Sequence, residues 1–105
     1  MDNNYTQQIL NKLNAMTDNV ERMTLESTDI VIELEKLHCE SKALNVRIAD
    51  ASSAGNKLQY LIRLKTESAR INDRCNALLI QHGKLRARHA EICAEYSQLK
   101  LQLVD

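Results

Sequence analysis

The sequence predicts an all-α protein: two long amphipathic heptad helices, forming a coiled coil or a helical hairpin within a helical bundle. Three observations predict it. The 105 residues include no proline and only two glycines, so little interrupts a helix. The only aromatic residues are Tyr5, Tyr60 and Tyr96. Contacts must then be filled by Leu, Ile, Met and Val, which suits thin layers between helices better than a broad globular core. Finally, apolar residues recur in alternating steps of four and three along most of the chain, the pattern of a helix that packs on a helix.

The first run reads Ile9, Leu13, Met16, Val20, Met23, Ser27, Ile30, Leu34, Leu37, Ser41, Leu44, Ile48, Ala51. The second reads Leu61, Leu64, Ser68, Ile71, Cys75, Leu78, His82, Leu85, His89, Ile92, Tyr96, Leu99, Leu103. The two frames differ by one residue, and the slip falls across Ala51-Ser52-Ser53-Ala54-Gly55-Asn56. Helix propensity is weakest there, glycine costing about 1 kcal/mol relative to alanine. Gly55 suits a left-handed residue at a helix C-terminus, and Asn56 suits the cap of a following helix. The expected organisation is a single coiled-coil unit over 1–105, with helices over 4–51 and 56–104 and a break over 52–56. Each helix would be ~70 Å long at 1.5 Å per residue.

Two arrangements satisfy this pattern. In one, the break is a tight turn near Gly55-Asn56 and the halves fold back as a hairpin, setting Leu34 near Leu78, Val20 near Ile92 and Leu13 near Leu99. In the other, the break is a hinge or stutter in one long rod. Repeating seams match in many registers, so periodicity leaves both open.

With Leu13 and Val20 at position a of the heptad, position d is apolar throughout, from Ile9 to Ala51 and again from Leu64 to Leu99. The polar exceptions, Ser27, Ser41, Ser68, His82 and His89, all fall at a. Polar groups at a cost stability but fix register and partner choice. The residues expected to form the interface are therefore Leu13, Val20, Ser27, Ile30, Leu34, Leu37, Ser41 and Leu44 in the first helix. In the second they are Leu64, Ile71, Leu78, His82, Leu85, His89, Ile92 and Leu99. A second stripe occupies position f: Leu25, Ile32, Cys39 and Val46, then Ile80, Ala87, Ala94 and Leu101. Leu10, Val31, Leu79 and Cys93 flank the seam. A two-stranded coiled coil leaves f to water, so apolar residues there point to a bundle of three or more helices.

Net charge is zero, which disfavours nucleic acid as the main partner. Residues 1–52 carry nine acidic against five basic side chains, and residues 53–105 the reverse, so an acidic helix is expected to pair with a basic one. No window approaches ~18 consecutive apolar residues, so no membrane span is expected. Met1-Asp2-Asn3-Asn4 lacks a secretory start, there is no lipidation box, and a chain starting at Met1 is expected to be complete. These features point to the cytoplasm, with the nucleus not excluded. Cys39, Cys75 and Cys93 are odd in number and form no CxxC pair, so free thiols are expected.

Nothing in the pattern points to catalysis, a cofactor or a metal. His38 and Cys39 are adjacent and point to different faces; His89 and Cys93 share one, but no cluster supplies four zinc ligands. Gly55 and Gly83 are isolated, so there is no phosphate loop. Glu33 with Glu35, and Glu91 with Glu95, offer carboxylates without a pocket to shift them. Lys84, Arg86 and Arg88, interleaved with Leu85, Ala87 and His89, read as a solvated helix face.

The stretch Leu61-Ile62-Arg63-Leu64-Lys65-Thr66-Glu67, followed by Ile71 and Leu78, resembles the C-terminal helix of the pallidin family. Upstream, Tyr5, Ala15, Leu34-Glu35-Lys36-Leu37 and Leu44 fall at similar offsets. That resemblance covers most of the chain, at the level of heptad similarity. It implies a small coiled-coil subunit of the complex for biogenesis of lysosome-related organelles, a hetero-oligomer of coiled-coil proteins in endosomal trafficking, with no catalytic residue. Two alternatives share the pattern: a coiled-coil subunit of a kinetochore or spindle complex, and a small helical-bundle chaperone. Homodimers also fit the seam.

Overall fold

A computed structural model describes residues 2–55 and 57–104. It contains two helices, α1 (Asp2–Ser53) and α2 (Leu58–Val104). The chain is all-α, as the heptads predict. The break falls later in the chain than expected. α1 runs two residues past Ala51, and α2 begins at Leu58 rather than at residue 56.

The turn shows why. Gly55 takes a positive φ of 69°, the left-handed conformation that glycine alone adopts without steric cost. Its N–H donates to the Ser52 carbonyl at 3.4 Å, and the Ala54 N–H donates to the Asp50 carbonyl at 2.9 Å, so two of the last carbonyls of α1 are satisfied. At the start of α2 the Lys57 carbonyl accepts from Tyr60 and Leu61, which puts Lys57 at the capping position. The expected cap, Asn56, lies outside the described residues.

Packing divides the chain into two compact units, Asp29–Gln81 and Met1–Thr28 with His82–Asp105. In Asp29–Gln81 the two helix segments fold back on each other. Leu44, Ala51 and Leu64 form one buried cluster, against which Ile48, Leu61 and Ile71 pack; Ile30 and Leu78 are buried too. The hinge-or-rod alternative is therefore not the one adopted. In the other unit Ile9, Leu13 and Met23 are buried, and the segments again lie antiparallel, Tyr5 donating a hydrogen bond to Gln102 at 2.8 Å.

The register differs from the expected one. Glu33 pairs with Arg74 in the hairpin unit, and Ser27 with His82 in the other. These paired numbers add to 107 and 109, whereas the expected contacts of Leu34 with Leu78, Val20 with Ile92 and Leu13 with Leu99 all add to 112. The helices are thus offset by about one turn. In the observed register Leu34 stands level with Cys75, and Ile30 with Leu78. Like positions then meet, d with d and a with a. The d layers lie deeper: every buried residue except Leu13 occupies d.

Leu64 and Leu78 are each only 2% exposed. Leu64→Ala should lower unfolding stability by about 2–5 kcal/mol. Leu25→Ala, at an exposed site, should change it by less than about 0.5 kcal/mol. Chemical denaturation followed by circular dichroism measures both.

Candidate helix-docking surface

Every seam residue named from the sequence is buried or half-buried in the structure. The only other shielded residues among those described are Asn19 and Glu33. The expected interface side chains, from Leu13 to Leu44 and from Leu64 to Leu99, therefore sit where α1 and α2 pack within one chain. Much of their apolar surface packs within the chain, and the more exposed aliphatic residues lie on other sides of the helices.

The polar residues at a now have a role within the chain. Ser27 Oγ and His82 Nε2 are hydrogen-bonded at 2.9 Å. In the hairpin unit, the register set by Glu33 and Arg74 brings Ser41 level with Ser68, both half-buried. The spacing from Ser27 to Ser41 equals that from Ser68 to His82. A slide of one heptad would set one of these polar groups against an apolar layer, so matched polar layers disfavour the neighbouring registers.

The two flanks of the seam differ in chemistry. At 100° per residue, positions g and c lie on one side of each helix, e and b on the other, and f opposite the seam. Side chains at g close the first flank. Arg74 Nε and Nη2 donate to the two carboxylate oxygens of Glu33 at 2.9 and 3.3 Å. Arg47 donates to Tyr60 Oη at 3.4 Å, a hydrogen bond that raises the guanidinium further above its ordinary range. In the other unit Tyr5 and Gln102 meet at the same position. Glu33 with Arg74 is the one ion pair among the described residues. Both groups are well exposed, so the expected pairing of acidic with basic helix contributes only about 0.2–1 kcal/mol through it.

The exposed aliphatic residues avoid g and c. In Asp29–Gln81 the exposed large aliphatic residues are Val31, Ile32, Val46, Leu58, Ile62, Leu79 and Ile80, and all occupy e, b or f. Ile32 is 47% exposed and Ile80 61%. In the other unit Leu10, Leu25 and Leu101 are exposed at e and f. Of all the exposed large hydrophobic residues only Tyr5 and Tyr60 fall at g, and both are hydrogen-bonded through their hydroxyls. The stripe at f was legible in the sequence. That the e residues of both helices, Val31 and Leu79 among them, share one flank was not, because it depends on like positions meeting across the seam.

On this flank of the terminal unit lies an open groove of about 410 Å³, with Met23, Ser27, Leu85 and His89 along its floor. Thr24 and Thr28 at its edge donate their hydroxyls to the carbonyls of Val20 and Thr24. Cys93 Sγ lies 3.9 Å from the His89 ring nitrogens. Cys39, Cys75 and Cys93 are free thiols. Among the described residues no three His, Cys, Asp or Glu side chains are placed to share a metal ion, and no helix is long and apolar enough to cross a membrane.

If the Ser27–His82 bond sets the layer, Ser27→Ala should cost about 0.5–1.5 kcal/mol in the native chain and much less in a His82→Leu background. A double-mutant cycle in urea measures the coupling; strictly additive effects would show that the two side chains act independently.

No family model matches the chain, and comparison with curated proteins and with solved structures finds no match.

Proposed function

We propose that this chain is a non-catalytic coiled-coil subunit of a cytoplasmic hetero-oligomeric complex, contributing a pre-paired helical hairpin to a larger helical bundle. The observation that carries this reading is the set of aliphatic side chains exposed at e, b and f on both helices while the seam packs within the chain. Large aliphatic side chains at seven-residue intervals are the signal of a helix packed on two sides. The resemblance to pallidin-type subunits supports placing that complex in endosomal trafficking or the biogenesis of lysosome-related organelles.

The test is affinity purification of the tagged chain at its native level, with mass spectrometry of what accompanies it. Several coiled-coil proteins in fixed ratio are expected, and their identities distinguish organelle traffic from a kinetochore or spindle complex. Val31→Glu with Leu79→Glu should abolish their recovery, because each buries a charge in the contact. Lys36→Glu, at position c, should leave it intact. A well-folded chain recovered alone would overturn the assembly reading in favour of a monomeric helical-bundle chaperone.

A further inference from the structure

In the unit formed by Met1–Thr28 and His82–Asp105 the two flanks of the seam are grooved differently. Charge lines the grooves of the g flank: Lys12 and Glu95 in one, Lys84, Arg88, Glu91 and Glu95 in the other. Along the e flank two open grooves, of about 410 and about 370 Å³, follow one another from Met16 to Thr28 of α1. That is a run of roughly 18 Å at 1.5 Å per residue. Arg86 and Glu21 are the only Asp, Glu, Lys or Arg residues that line them. Met16, Val20, Met23 and Leu85 supply an apolar floor, and all but Met23 are only half-buried. On the α1 wall Thr17, Thr24 and Thr28 donate their hydroxyls to the carbonyls of Leu13, Val20 and Thr24, so these donors are satisfied on their own helix. On the α2 wall stand Ala90, Cys93 and Ser97, small enough to let another helix come close.

The two walls are unequal in charge. On α2 from His82 onward, position e holds Arg86, Cys93 and Lys100, and position b holds Gly83, Ala90 and Ser97. That wall therefore carries two cations and no acid. On α1 up to Thr28, the same two positions hold one charge, Glu21. Neither Arg86 nor Lys100 enters an ion pair among the described residues. We propose that this groove receives an amphipathic helix of another protein, its apolar stripe on the floor and an acidic edge turned to α2. Arg86 and Lys100 are fourteen residues apart, two heptads. Acidic side chains fourteen apart on one edge of a helix running along the groove therefore meet both. Between them that edge passes Cys93 and carries a neutral residue. The opposite edge lies on the threonines and Glu21, and takes neutral side chains or a single base. Complementarity of this kind selects a partner and its orientation more than it adds affinity. The inference names the partner's chemistry for the assembly reading above, and rests on it.

Selection from a phage-displayed library tests it, with the purified full chain as bait. The library holds amphipathic helices about six turns long, with a fixed leucine stripe and edges drawn from Glu, Lys and Ala. Enriched sequences are expected to carry a Glu pair fourteen residues apart on one edge. The corresponding synthetic peptide should bind about tenfold more tightly than its Lys counterpart by fluorescence anisotropy. Arg86→Glu with Lys100→Glu should reverse that preference. Ala90→Trp, which fills the groove from an exposed position, should abolish binding while circular dichroism shows the helices intact. Glu91→Lys, on the g flank, should leave binding unchanged. A bromoacetyl group on the peptide should label Cys93 in preference to Cys39 and Cys75. Enrichment of no helix, or of helices without the acidic pair, overturns the proposal. So does binding that survives Ala90→Trp, or labelling only at Cys39 or Cys75. Self-association of the chain that Ala90→Trp abolishes would give the groove to a second copy and overturn it too. Coiled-coil partners that co-purify from cells equally with the native and Ala90→Trp chains overturn the groove and keep the subunit reading. A peptide that behaves as described while cells yield no partner sinks the hetero-oligomer and keeps the groove.

Discussion

The structure depends on the d layer of the seam. Ile30, Leu44, Leu64 and Leu78 in the hairpin unit, and Ile9 and Met23 in the other, are buried because d meets d across antiparallel helices. The a layer is shallower, and only Leu13 among its members is fully buried. That difference in depth explains where the polar residues can be. Ser27, Ser41, Ser68, His82 and His89 all stand at a, half-shielded, where a polar group keeps part of its water and Ser27 also reaches His82. Placed at d, the same groups would face the penalty of an unpaired buried polar atom, about 1–3 kcal/mol each.

From the layer order follows the asymmetry of the flanks. With like positions level, g faces g on one side and e faces e on the other. The g side holds Glu33 with Arg74 and Arg47 with Tyr60, long side chains that reach over the seam and shield it with their methylenes. The e side holds Val31 and Leu79, which are exposed. The e side thus carries exposed aliphatic surface that the g side lacks.

How much of this the sequence carried can be argued from particular residues. The heptad fixed which side chains would be shielded: each seam position from Ile9 to Leu103 is so in the structure. Gly55 marked the turn because only a left-handed residue ends α1 there. The register was not legible from spacing, since repeating seams match at every heptad, and a turn centred on Gly55-Asn56 placed Leu34 one helical turn too far along α2. The polar residues held the missing signal. Ser27 and Ser41 are spaced like Ser68 and His82, and only one antiparallel register matches both pairs. The role of the seam was also hidden. Heptad residues read equally as contacts within a chain or between chains, and only the fold shows that Leu34, Leu37 and Ile71 are already engaged within it.

That internal use of the seam bears on how stability and assembly are linked. A hairpin of two helices has layers only two side chains deep, and each layer is bounded by water on both flanks. Half of the seam side chains or more therefore remain partly exposed, including Leu37, Ile71, Leu85 and Ile92. Any helix that packs along the e flank covers Val31 and Leu79 and, in the same step, removes the water beside the a layer beneath them. Burial at the docking surface and burial in the seam are then one event. Binding selects the paired hairpin over its frayed states and stabilises it by mass action. Conversely, a variant that loosens the seam, as by emptying the Leu64 layer, weakens assembly without touching the docking surface. Loss of partners by itself therefore does not locate an interface in this chain. The distinction comes from comparing substitutions at d, which lower stability and assembly together, with substitutions at e, b and f, which lower assembly while the isolated hairpin keeps its fold.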